Sequence, residues 1–126
     1  MDEYIPGVCN IGPAEIRRRR QSGILGLVLS VGLLVFLLVI QADPVWRLLV
    51  ALPVMSAATG FLQAYFHFCA GFGFKGVYNL AKPAGQTETV QQKEFRQKDR
   101  QKALQISAYS FAIGALVGII AYSLPI

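Results

Sequence analysis

Leu48–Gly76, LLVALPVMSAATGFLQAYFHFCAGFGFKG, decides the fold. It is apolar enough to cross a membrane, yet it carries the only histidine and one of the two cysteines, with a proline, a glutamine and a glycine–aromatic run. A helix over Leu48–Ala70, turning about 100° per residue, puts Ser56, Gly60, Gln63 and His67 on one stripe. A glutamine and a histidine in hydrocarbon each need a hydrogen-bond partner, so the stripe is expected to face another helix or a wet cavity. On that same helix Cys69 points away from His67, and the two could grip one metal ion only if the helix unwound.

The segregation of charge extends the reading to the whole chain. Gln21–Ala42, Leu48–Phe74 and Ala103–Ile126 contain no charged residue, and a bilayer core requires about 20 apolar residues per helix. With 54% hydrophobic and 15% charged residues, the 126-residue chain is far from a soluble composition. The prediction is an all-α, polytopic membrane protein of one domain, residues 1–126. Its three transmembrane helices span about 22–41, 46–70 and 104–124, and a cytoplasmic loop and basic helix over 71–103 lead into the third.

The formal charge of +5 does not point to nucleic acid. Of the twelve Lys and Arg residues, all but Arg47 fall in two segments, Arg17–Arg20 and Lys75–Lys102, which flank the spans. That is the positive-inside distribution. It predicts an inner cell membrane location with a cytoplasmic N-terminus and an outer C-terminus, and Arg17, Arg18, Arg19, Arg20 and Lys75 meeting anionic lipid headgroups.

Local signals fill in the elements. Gly12-Pro13-Ala14-Glu15 reads as a helix start, with Pro13 at the first helical position and Glu15 at the positive end of the dipole. Ser22, Gly26 and Ser30 recur every four residues in span one, as do Ser110, Gly114 and Gly118 in span three. Such small-residue edges let helices approach closely and favour a compact bundle. Trp46 belongs at the outer interface, and Pro53 is expected to kink span two. Gly71-Phe72-Gly73-Phe74-Lys75-Gly76 lacks the strand and the Gly-Lys-Ser/Thr ending of a phosphate loop and reads as a re-entrant corner. Thr89 and Gln92 form a potential capping box for a solvated helix over Val90–Gln105, with Glu94 and Lys98 as an i,i+4 pair.

Asn10-Ile11-Gly12 followed by Arg17–Arg20, the turn Asp43-Pro44-Val45-Trp46, Thr59-Gly60 and Phe68-Cys69 together resemble the YgaP-like transmembrane domain family of small bacterial inner-membrane proteins. The resemblance covers about residues 9–75 and implies a pair of hydrophobic helices. Some members are fused to a rhodanese domain, which implies sulfur-transfer chemistry for those. The sequence departs from the family in following Cys69 with Ala70-Gly71 and in adding a basic helix and a third span.

No carboxylate lies at membrane depth and no Ser/His/Asp set exists, so no catalytic residue and no cofactor is expected, and the chain does not read as an enzyme. The reading is a non-enzymatic accessory subunit or small homo-oligomer, in contact with another membrane protein or its own copies. Its contact surfaces would be the stripes Ser56/Gly60/Gln63/His67 and Gly114/Gly118. The alternative is a cytoplasmic-face thiol or metal module for sulfur or redox handling, built on Cys9, Cys69 and His67, with the metal unknown.

Overall fold

A computed structural model describes residues 4–80 and 83–125. Three of its helical segments are long and apolar enough to cross a membrane: Pro13–Val39, Pro44–Phe66 and Lys93–Ser123. The first is helix α1, whose first turn holds Pro13 and Glu15. At 27 residues it is about 40 Å long. It ends in a Schellman turn: Gln41 adopts a left-handed conformation (φ 54°), its N–H donates to the Leu38 carbonyl, and the Ala42 N–H donates to that of Leu37.

The second segment begins with a 3-10 turn, Pro44–Val50, and continues as α2, Ala51–Phe66. Pro53 has no N–H to offer the Leu49 carbonyl and its ring crowds that group, which accounts for tight winding ahead of it. The expected continuation to Ala70 is not formed. His67 turns left-handed (φ 55°) and α2 stops at Phe66. A six-residue helix α3, Ala70–Lys75, follows, so Gly71 and Gly73 lie inside a helix and the unwinding falls at 67–69. Gly73 brings α3 against its neighbour, since a Cβ there would sit 2.8 Å from the Asp99 carbonyl oxygen.

Two short strands depart from the all-α expectation. Val77–Tyr78 (β1) pairs antiparallel with Glu88–Thr89 (β2), Val77 opposite Thr89 and Tyr78 opposite Glu88. Thr89 is therefore ladder, not cap. The last helix, α4, starts at Lys93 behind Gln92, with no side-chain cap bond, and runs unbroken to Ser123. Its basic first half leads straight into the third apolar stretch. The expected Glu94–Lys98 pair is not made, for the one ion pair among the described residues is Arg19–Glu15.

Helix α2 packs against α1 on one side and α4 on the other, while α1 and α4 hardly touch each other. The arrangement is a three-helix layer rather than the expected compact bundle. Glycines set both contacts. A Cβ on Gly60 would lie 2.6 Å from the Gly23 backbone nitrogen, and one on Gly26 would lie 2.8 Å from that of Ala57. On the other side, Gly114 faces Met55 and the Ala51 carbonyl, and Gly118 faces the Ala51 Cβ. Backbones approach this closely only where side chains are absent. At the end opposite the basic residues, buried Arg47 donates through Nη1 to the carbonyls of Ala121 (3.3 Å) and Leu124 (3.0 Å), closing the C-terminus of α4.

Candidate functional site

The break between α2 and α3 opens backbone groups that a continuous helix would have satisfied, and buried polar groups must be paired. Gln63 takes two of them. Its backbone carbonyl accepts the Phe68 N–H (3.0 Å) and its side-chain Oε1 accepts the Ala70 N–H (2.8 Å). The polar partner expected for Gln63 is thus the chain's own backbone.

Asn10 takes the rest. Its Oδ1 accepts the Cys69 N–H (2.7 Å) and its Nδ2 donates to the Cys69 carbonyl (3.2 Å). Its own N–H donates to the His67 carbonyl (3.1 Å), and its carbonyl accepts the Asn79 N–H (3.0 Å). Asn10 is completely buried. One residue later, Ile11 bridges in parallel to Asn79, and the Gly12 N–H donates to the Asn79 carbonyl (2.8 Å). A Cβ on Gly12 would overlap the Leu80 carbonyl, so only glycine passes there. These bonds draw residues 9–12 across the basic end of the layer as a strap.

Charge is organised around the strap. Glu15, in the first turn of α1, is only 1% exposed; Oε1 accepts from Arg19 Nη1 (3.4 Å) and Oε2 from the Gly85 N–H (3.4 Å). Arg19 also donates through Nη2 to Cys69 Sγ (2.9 Å) and lies over the Phe72 ring, 5.3 Å from its centroid. Arg19, expected at lipid headgroups, is thus turned to partners within the chain, whereas Arg17, Arg18 and Arg20 are exposed. On α4, Asp99 is fully buried and accepts hydrogen bonds from the Tyr4 hydroxyl (2.7 Å) and the Gly7 N–H (2.8 Å). Tyr4 in turn stacks on Tyr78, with ring centroids 4.8 Å apart.

Burial first, and then the hydrogen bond and charge of Asp99, push the Tyr4 hydroxyl well above its ordinary value. Its folded pKa exceeds its unfolded one, so the contribution is complete below pH about 10 and is lost as pH rises beyond that. Alkaline titration should therefore release the Tyr4–Gly7 segment, read as increased proteolysis there. Tyr4→Phe should remove the phenolate transition while leaving the helices intact.

The candidate site residues separate in this structure. Gly60 and Gln63 are buried on α2, Ser56 is exposed, and His67 sits at the helix terminus, off the expected stripe. Gly114 and Gly118 are spent on the α2–α4 contact. Cys9 and Cys69 are buried, Cys9 donating its thiol to the Ile11 carbonyl at 3.6 Å. The expectation that Cys69 and His67 diverge on one helix falls with the helix itself. Among the described residues no group of three His, Cys, Asp or Glu is placed to hold a metal ion.

What His67 supplies is backbone: a left-handed residue with its carbonyl on Asn10. His67→Gly should leave thermal stability unchanged or raise it, relieving about 1 kcal/mol of left-handed strain, while His67→Val should lower it. Loss of stability in the glycine variant would return a role to the imidazole.

Asn10, Glu15, Asp99 and Arg47 organise the fold without a local sequence motif that marks them for it. Spacing carried a signal for two of them. The buried positions of α4 run Asp99, Ala103, Ile106, Ser110, Gly114, Gly118, Ala121, and Glu15 continues the Gly23–Gly26–Ser30 edge of α1.

No protein-family model, curated protein or solved structure matches this chain.

Proposed function

We propose that the chain is a three-pass inner-membrane protein without catalytic activity, acting as an accessory subunit or a small homo-oligomer. Its basic end and N-terminus lie in the cytoplasm and its C-terminus outside. The observation that carries this is the layer itself. Helix α2 spends its Ala57/Gly60 face on α1 and its Ala51/Met55 face on the glycines of α4, and clefts of about 370, 330 and 360 Å³ lie at the ends of the layer. Large side chains such as Leu25, Val28, Leu52, Phe111 and Leu116 point outward from the layer. A layer with its apolar faces turned outward suits contact with lipid and with other membrane helices. The positive-inside distribution supports the orientation, and the resemblance to the YgaP-like family supports a bacterial inner membrane.

A second reading, a cytoplasmic-face thiol module using Cys9, Cys69 and His67, is favoured by one contact, that of Arg19 Nη2 with Cys69 Sγ. Native mass spectrometry of the protein extracted gently from its host membrane separates the two. Whole multiples of the 13.8 kDa chain, or added mass from other subunits, support the accessory reading. A lone chain carrying metal or persulfide mass, lost in Cys69→Ser, overturns it.

A further inference from the structure

Between α3 and the first turns of α4, an open cleft of about 370 Å³ is lined by Lys75, Lys93, Arg96 and Arg100, with Phe74 and Gln97. No acidic side chain lines it. Lys93, Arg96 and Arg100 follow the i, i+3, i+7 spacing of one helical face, and Lys75 reaches them from the end of α3. Arg96 is fixed in the wall: its Nη1 donates to the carbonyls of Val90 (2.9 Å) and Gln91 (3.2 Å). Its stem passes Gly76, where a Cβ would come within 2.8 Å of Cδ and where φ is 73°. Among the described residues, Lys75, Lys93 and Arg100 form no ion pair. Four like charges around one cleft repel one another, and a bound anion relieves that repulsion.

The depth of the cleft narrows the kind of anion. Arg100 stands three residues before Ala103, where the uncharged stretch begins, and so about 5 Å outside it along the helix. That is headgroup level. Lys93 lies about 15 Å out, and Phe74, 42% exposed, stands at the lip. Phosphate oxygens are the acceptors that a guanidinium and two ammonium groups recognise best.

We propose that this cleft binds the phosphate of an anionic phospholipid headgroup, one lipid per chain, with Lys75, Lys93 and Arg100 as its ligands. The proposal rests on the chain being membrane-spanning with this end at the headgroups. The test uses the full chain reconstituted in phosphatidylcholine vesicles. Flotation that survives carbonate washing checks insertion independently of the cleft. Native mass spectrometry after adding phosphatidylglycerol then counts retained lipid.

One retained phosphatidylglycerol is expected for the unaltered chain. Lys93→Gln with Arg100→Gln should weaken its retention by about tenfold or more, since two charged hydrogen-bond donors are lost. Arg17→Gln with Arg20→Gln removes equal charge elsewhere and should change retention by no more than about twofold. Equal losses in the two pairs would mean diffuse attraction to a negative surface and overturn the site. Displacement of the lipid by inorganic phosphate alone would also overturn it, in favour of a soluble phosphate ligand.

Discussion

Replacing Asn10 with Ala is expected to destabilise the basic end of the protein by about 1–3 kcal/mol. Asn10 Oδ1 is the acceptor for the buried Cys69 N–H, whereas the Cys69 carbonyl accepts from the Gly73 N–H (2.9 Å) as well as from Asn10 Nδ2 and keeps the former in the variant. Leaving a buried donor or acceptor unpaired costs about 1–3 kcal/mol each. Asn10→Asp should fare no better, because it keeps the acceptor for the Cys69 N–H, loses the donor to its carbonyl and adds a buried charge. The result appears as a lower melting temperature in detergent and as faster reaction of Cys69, 5% exposed in the native protein, with a soluble thiol reagent. An Asn10→Ala protein with native stability and a protected Cys69 would show that the strap does not hold the break between α2 and α3.

Gly114→Leu is the second large effect. A Cβ at this position would overlap Met55 Cγ and lie 2.9 Å from the Ala51 carbonyl oxygen. Met55 is flexible enough to move aside. The carbonyl is backbone, so α4 must separate from α2. Overpacking of this kind costs about 1–3 kcal/mol and more when backbone has to shift. Loss of the α2–α4 contact should be read directly as failure of a cysteine pair engineered across it to cross-link. Gly32→Leu is the matched control, because nothing lies within 4 Å of a Cβ there. It should be silent, and a comparable loss at both positions would separate the effect from packing.

The charge-free stretches alone locate all three long helices, because a bilayer-length apolar run admits few other structures. The continuous basic helix into the third span was legible for the same reason. Other features depended on partners distant in sequence. Nothing near Gln63 or His67 announces that Asn10 will cap the groups exposed at 67–69, so the helix read as continuing to Ala70. Asp99 sits among Lys98, Arg100 and Lys102 and looked solvated. Its burial follows from Tyr4 and Gly7 arriving from the other end of the chain. Glu15 looked like a dipole partner at a helix start and is instead buried against Arg19 and Gly85.

The small-residue edges were legible as packing surfaces, but not which helix each would meet. Gly60, Gly114 and Gly118 all serve contacts within this one chain. Ser22 and Ser56 carry the same spacing and are exposed. A four-residue repeat defines an edge on a helix, and only the arrangement of the helices decides how much of that edge is covered.

The proposed function requires that the three helices cross the membrane with the strapped, basic end of the layer on the cytoplasmic side. Both native cysteines are buried, so cysteines introduced at exposed positions report sidedness: Gln97→Cys on the basic half of α4 and Ser123→Cys at its far end. The measurement is labelling by a membrane-impermeant thiol reagent in intact cells. Labelling is expected at position 123 from outside, and at position 97 only after the membrane is opened. Labelling at position 97 in intact cells, or removal of the protein from membranes by carbonate, would contradict it.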